Sequence, residues 1–217
     1  MGRLAAVLLA TLALAGCSCA GGRRPCAAPA TVCKPAARPA PDAASPASTW
    51  RRADDPDGAR LPPETFVVPA RPWKVVAIHH SASAQGGAAR FDEWHRAKGW
   101  DGVGYDFVVG NGTDTPDGSI EVTFRWREQR DGAHVKGWND LAIGICLVGD
   151  FEQADPTPKQ LEAAAVLVRH LRRRFAIPRE RVVGHGSLGL TLCPGARLDL
   201  RALAQASDPA PPSEGAP

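Results

Sequence analysis

Two histidines and one cysteine form the set of side chains in this sequence best suited to metal chemistry. His79 directly follows the apolar, β-branched run 75–78, and His185 follows a second such run at 182–184. Cys193 lies eight residues beyond His185. Two neutral imidazoles and a thiolate are a zinc ligand set with one coordination position open, which is typical of catalytic zinc. Zinc lowers the pKa of water and polarises carbonyls, so the set predicts amide hydrolysis.

The strands and helices around these residues determine whether the three side chains lie close together, because α/β folds usually place their sites at strand ends.

The sequence predicts five strands and two helices. One helix begins near Thr157, since Thr157, Pro158 and Gln160 have the pattern of a capped helix start. The predicted strands cover residues 75–78, 105–109, 119–126, 141–148 and 181–183, and the predicted helices cover 88–98 and the segment opened at Thr157. The order β-α-β-β-β-α-β predicts an α/β fold: a single domain with a central mixed β-sheet flanked by helices and the zinc site at strand ends. The alternative is that each histidine is only a packed or surface residue.

The composition bounds the domain and its partners. Of the 20 prolines in 217 residues, ten lie in residues 18–70 and four in the last nine residues. We therefore expect one globular domain over 71–203, between a disordered Pro/Ala-rich tether (17–70) and a disordered C-terminal tail (204–217). Residues 71–203 carry 18 basic and 16 acidic side chains, without the concentrated basic face of a nucleic-acid-binding protein. We expect no nucleic-acid partner, and a monomer.

The N-terminus has the pattern of a secretory signal: Arg3, the apolar run 4–14 and then small residues. The run is too short to span a bilayer stably. It ends in Leu-Ala-Gly-Cys17, which resembles a bacterial lipobox and implies a lipoprotein signal peptide over 1–16 with lipidation at Cys17. We expect an exported protein, lipid-anchored to a bacterial membrane and facing the periplasm or cell wall (the outer membrane in a Gram-negative host). The alternative is an ordinary signal without lipid, and the pairing of Cys19, Cys26 and Cys33 stays open.

Five ordered motifs resemble the N-acetylmuramoyl-L-alanine amidase family, the zinc amidase fold shared by phage lysozyme-type amidases and peptidoglycan recognition proteins. The motifs are Ile78–Ala82, Gly99–Phe107, Gly132–Asn139, Ile143–Gly149 and Gly184-His185 with Thr191–Gly195. The resemblance covers about residues 72–200. It implies zinc-dependent hydrolysis of the amide between the lactyl group of N-acetylmuramic acid and the L-alanine of the peptidoglycan stem peptide. The alternative is a non-catalytic peptidoglycan-binding lipoprotein, although such relatives typically lack the cysteine ligand.

The resemblance also implies roles for individual residues. His79, His185 and Cys193 match the zinc ligands. Tyr105 matches the catalytic tyrosine, whose hydroxyl bonds the attacking water or the oxyanion, and Thr191 offers the oxyanion a further hydroxyl. The alternative for Tyr105 is core packing.

Further positions match the substrate groove or depart from the family pattern. His134 and Asn139 match positions that line the groove holding the muramyl peptide, with a surface loop as the alternative for His134. His80 is expected to pack or to support the site, because strand alternation puts it opposite its neighbour His79. Gly186 and Ser187 stand where many relatives carry Arg-Asp, which puts the rigidity of this loop in doubt.

Overall fold

The computed structural model describes residues 60–66 and 71–208. The signal peptide, Cys17 and most of the predicted tether lie outside the described residues. Within the described part, no helix is both long and apolar enough to cross a membrane.

The core is a five-stranded mixed sheet, as the sequence predicts. Its strands are β1 Val75–His80, β2 Phe107–Val109, β3 Ile120–Val122, β4 Ala142–Leu147 and β5 Val182–Gly184, in the order β3-β2-β4-β1-β5. β1 pairs in parallel with both β4 and β5, whereas β3 is antiparallel to β2. Every residue of β1 and β4 is buried, because both faces of a sheet with parallel strands are covered.

Among residues 60–66 and 71–208, four α-helices flank the sheet: α1 Ala88–Ala97, α2 Phe124–Arg127, α3 Pro158–Phe175 and α4 Leu200–Ala206. The predicted capping box opens α3, since the Thr157 hydroxyl accepts the backbone N–H of Gln160 and the Gln160 side chain accepts that of Thr157. The buried stripe of α3 packs on the sheet in the main hydrophobic cluster.

The predicted strand over 119–126 is wrong beyond Val122. The Thr123 hydroxyl accepts the backbone N–H of Arg125 at 3.2 Å and caps α2 instead. This helix buries Trp126, whose ring contacts Phe107 at a centroid distance of 4.7 Å. Apolar residues at every second position are typical of a strand. Here Ile120 and Val122 lie in β3, whereas Phe124 and Trp126 lie in the helical turn that Thr123 caps.

The ordered domain extends beyond the predicted limits of 71–203 on both sides. A 3-10 turn, Pro63–Phe66, precedes it; Leu61 is buried and the Thr65 carbonyl accepts the indole N–H of Trp126 at 3.1 Å. At the other end, α4 continues past residue 203, and Ser207 accepts a hydrogen bond from Arg172 at 2.9 Å. Residues 60–66 and 204–208, which the sequence assigned to the tether and the tail, therefore have defined structure next to the domain.

Candidate metal and catalytic site

Three side chains predicted to bind metal converge at the carboxyl ends of β1 and β5. His79 lies in β1, His185 directly follows its parallel neighbour β5, and Cys193 lies in the loop beyond. One ligand atom of each residue lies within 4.8 Å of the others. The His79 Nδ1 atom is 3.7 Å from the Cys193 Sγ atom, and the His79 and His185 ring centroids are 4.7 Å apart.

The donor set fits zinc in chemistry and in spacing. A tetrahedral zinc with ordinary bond lengths holds nitrogen and sulfur ligands about 3.6 Å apart, close to the observed separation of His79 Nδ1 and Cys193 Sγ. Burial, together with the nearby His134 and His185, lowers the pKa of His79 well below its usual value, so its ring stays neutral at neutral pH. Burial raises the pKa of the Cys193 thiol to about 11, while the His80 backbone N–H, 3.4 Å from Sγ, favours the thiolate.

His80 points away from this cluster, as strand alternation predicts. Its Nδ1 accepts the backbone N–H of Phe151 at 3.1 Å and lies 3.8 Å from the Asp150 carboxylate. Burial lowers the pKa of His80 and the Asp150 charge opposes that shift. His80 therefore ties the strand end to the loop after β4 rather than contributing a ligand.

Tyr105 lies beside the ligand cluster, at the entrance to β2. Its ring centroid is 5.2 Å from that of His79, and its backbone carbonyl accepts the Thr123 hydroxyl at 2.7 Å. Burial raises the pKa of the Tyr105 phenol well above its usual value. The hydroxyl is therefore protonated at physiological pH, which suits a hydrogen-bond donor and not a base.

Thr191 lies on the exposed side of the cluster and contacts the backbone of a ligand residue. Its hydroxyl oxygen accepts the backbone N–H of Cys193 at 3.2 Å, which leaves the hydroxyl proton free to donate. The same loop packs tightly on Gly186, whose N–H donates to the Cys193 carbonyl at 2.7 Å. A Cβ on Gly186 would lie 2.7 Å from the Thr191 carbonyl oxygen, so this loop has no room for the side chain that the family pattern places there.

His134 and Asn139 are predicted to line the substrate groove; in the structure the His134 side chain is fully buried. The His134 Nδ1 atom lies 3.1 Å from His79 Nε2, on the side of the His79 ring opposite Cys193. Asn139 is engaged in the same loop: its Oδ1 accepts the backbone N–H groups of His134 and Val135 at 2.9 and 2.8 Å. Both residues therefore lie behind His79, one of the three residues predicted to bind metal.

Asp106 is a site residue that the sequence reasoning missed. Its side chain is fully buried; Oδ2 accepts the Gly144 N–H at 2.7 Å and lies 3.8 Å from His134 Nε2. Burial raises the pKa of Asp106 to about 7, against the opposing Gly144 N–H. The sequence held one signal for a buried group here: Gly144 lies inside an apolar strand, and such a glycine often marks a place where another group approaches the backbone closely. A Cβ there would lie 2.6 Å from the His134 ring.

Comparisons with known proteins identify the family of the domain that carries this cluster. A sequence model described as N-acetylmuramoyl-L-alanine amidase matches residues 69–196. The endolysin of Enterobacteria phage K11 is 31% identical over 126 residues, which is 54% of this chain and 77% of the endolysin. Peptidoglycan-recognition protein LB of Drosophila melanogaster is 32% identical over 154 residues, which is 65% of this chain and 62% of that protein.

Solved structures show the same fold. N-acetylmuramoyl-L-alanine amidase LysC from Clostridium intestinale superposes with a TM-score of 0.56 at 27% identity, covering 62% of this chain and 84% of that one. Human PGRP-IβC, solved in complex with a glycosamyl muramyl pentapeptide, superposes with a TM-score of 0.50 at 27% identity, covering 60% of this chain and 81% of that one.

Proposed function

The chain belongs to the N-acetylmuramoyl-L-alanine amidase family, and on that premise we propose that it is a zinc-dependent hydrolase of peptidoglycan. The bond cleaved is the amide between the lactyl group of N-acetylmuramic acid and the L-alanine of the stem peptide. The observation that carries the proposal is the convergence of His79, His185 and Cys193 within 4.8 Å, with the Tyr105 ring beside them. Three protein ligands leave one coordination position of a tetrahedral ion open for chemistry.

Each side chain of the site has a separate task in this proposal. When bound, zinc lowers the pKa of water and polarises the amide carbonyl. His79, neutral because it is buried, offers a nitrogen lone pair to the metal. Tyr105, protonated because of its raised pKa, donates a hydrogen bond to the negative charge that develops on the carbonyl oxygen. Thr191, with its hydroxyl proton free, donates to the same charge from the solvent side.

Zinc content and product analysis on the full chain test this proposal together. With zinc supplied, a defined mixture of muropeptides should yield stem peptides with a free L-alanine amino terminus, identified by mass spectrometry. Cys193→Ser should lose both zinc and cleavage while remaining folded. Cys146→Ala is the control for zinc content, because it removes a buried thiol of β4 and leaves all three proposed ligands in place, so it should keep one equivalent of zinc. It is not a control for cleavage, since the Cys146 thiol contacts the Tyr105 hydroxyl.

Recognition without cleavage is the second candidate function, because the matched relatives include peptidoglycan-recognition proteins. It predicts binding of muramyl peptides by the zinc-loaded chain with no new amino terminus in the products. That result would replace the hydrolase proposal.

We further propose that the domain is exported and anchored by a lipid on Cys17, which lies outside the described residues. The lipobox-like Leu-Ala-Gly-Cys17 supports this proposal. The full chain produced in a bacterium should sediment with membranes, and Cys17→Ala should release it into the soluble fraction. Equal distribution of the two chains would contradict the anchor.

A further inference from the structure

A line of three buried side chains runs from the proposed metal site into the core. His79 presents Nδ1 to Cys193 on one side and Nε2 to His134 on the other. The far edge of the His134 ring then faces Asp106, with 3.8 Å between His134 Nε2 and Asp106 Oδ2. Asp106 is not among the predicted ligands, and it does not reach the metal cluster itself.

Metal binding at Nδ1 dictates where the protons in this line must lie. A ligating nitrogen has no proton, so a neutral His79 carries its proton on Nε2 and donates it to His134 Nδ1. His134, which accepts this hydrogen bond at Nδ1, then carries its own proton on Nε2. That N–H faces the Asp106 carboxylate, and the Ala142 carbonyl also interacts with the His134 ring.

Two glycines, Gly132 and Gly144, leave the space that the His134 ring occupies. Any Cβ on Gly132 or on Gly144 would overlap the ring. Asp106 is fixed separately, since Oδ2 accepts the Gly144 N–H and its backbone bonds the Gly144 carbonyl. Within the described part of the chain, neither Asp106 Oδ1 nor His134 Nε2 has a hydrogen-bond partner of normal geometry, so the 3.8 Å approach of Asp106 Oδ2 is the acidic contact that His134 Nε2 has.

We propose that Asp106 is a positioning residue of the metal site: through His134, its carboxylate selects the His79 tautomer that directs the Nδ1 lone pair towards the metal. This inference rests on the proposed metal site and adds a residue that no ligand motif contains. At 3.8 Å the Asp106–His134 contact acts as a charge–dipole interaction and not as a full hydrogen bond.

Asp106→Asn is the sharpest test, because the amide is nearly isosteric and keeps an oxygen for the Gly144 N–H. Above the pKa of Asp106, which burial raises to about 7, the substitution replaces a negative acceptor in front of His134 Nε2 with a neutral group, so the comparison is made at pH 8 or higher. We expect zinc affinity, measured on the full chain by competition with a chelator, to fall about tenfold, the lower end for loss of a supporting carboxylate. Asp114→Asn, which removes a surface carboxylate paired with Arg90, is the matched control and should leave zinc affinity unchanged.

A second measurement detects the tautomers directly and needs no metal. In the metal-free wild-type chain, ¹⁵N NMR of the imidazoles should show His79 and His134 both protonated on Nε2, and Asp106→Asn should shift both towards a tautomer mixture. A merely structural role would lower thermal stability without moving the tautomers. The inference is overturned if wild-type His79 carries its proton on Nδ1, or if folded Asp106→Asn binds zinc like wild type.

These readouts separate this inference from the proposed function, because neither uses peptidoglycan. A wild-type chain that does not cleave muropeptides would refute the hydrolase proposal and leave the tautomer result intact. A wild-type chain that takes up no zinc would refute the metal site, and the metal-free NMR experiment would still decide the role of Asp106.

Discussion

Gly144→Ala is expected to damage the domain and the metal site together. Gly144 lies inside β4 with no freedom to move, because β1 and β2 pair with that strand on either side. The added methyl group would lie 2.6 Å from two atoms of the His134 ring and 2.9 Å from a third. That is about 0.8 Å closer than the 3.4 Å lower limit of ordinary contact, so the ring must shift.

The size of the effect follows from two opposing contributions. Overpacking a dense core costs about 1–3 kcal/mol, whereas replacing glycine by alanine recovers about 0.4–1 kcal/mol by restricting the unfolded chain. We expect a net loss of about 1–2 kcal/mol in the free energy of unfolding, or roughly 3–6 °C in Tm for a domain of this size. Because the shifted ring is the one that bonds His79, zinc affinity should fall as well.

Urea denaturation of the metal-free chain and chelator competition for zinc measure the two losses separately. Combining Gly144→Ala with His134→Ala provides the internal control, since the smaller side chain leaves space for the added methyl group. The double variant should be more stable than the sum of the single effects by at least about 1 kcal/mol. Additive losses, or a Gly144→Ala chain with wild-type stability and zinc affinity, would refute the argument that His134 occupies the place of a Gly144 side chain.

Three further outcomes are expected. Tyr105→Phe should keep zinc but lower the rate of muropeptide cleavage about 10²–10³-fold through loss of one donor to the oxyanion; an unchanged rate would exclude that role. Zinc affinity should rise with pH by about tenfold per unit across neutral pH, because the Cys193 thiol, with its pKa near 11, must lose a proton to bind; chelator competition at several pH values with zero slope would argue against a thiolate ligand. Thr123→Ala should lower the free energy of unfolding by about 1 kcal/mol through loss of the α2 cap, measured by urea denaturation, and Thr123→Ser should restore most of it.

The convergence of the three proposed metal ligands was predictable because each of them has a strong local signal. His79 and His185 follow β-branched runs that form neighbouring parallel strands, and both histidines therefore reach the same edge of the sheet. Cys193 is only eight residues from His185, so its closeness to His185 could be predicted from local sequence alone. The capping box of α3 was predictable for the same reason, since its partners are three residues apart.

The support behind the ligands was not predictable, because it depends on contacts between distant segments. His134 was predicted to line a groove, with a surface loop as the alternative, and its ring is buried where Gly132 and Gly144 leave space for it. Asp106 was missed because carboxylates are seldom fully buried, and its hydrogen-bond partner is 38 residues away. The end of β3 was misjudged because Thr123 reads equally well as a strand residue and as a helix cap.

The strand order has a consequence for when a metal can be captured during folding. The first and last of the proposed ligands, His79 and Cys193, are 114 residues apart in the chain, and it is the parallel pairing of β1 with β5 that brings them together. Such non-local pairings form late, since loop-closure entropy must be overcome first. A bound ion would then cross-link β1 to the loop that follows β5. It would stabilise the native state after the strands have paired, and it would not nucleate folding.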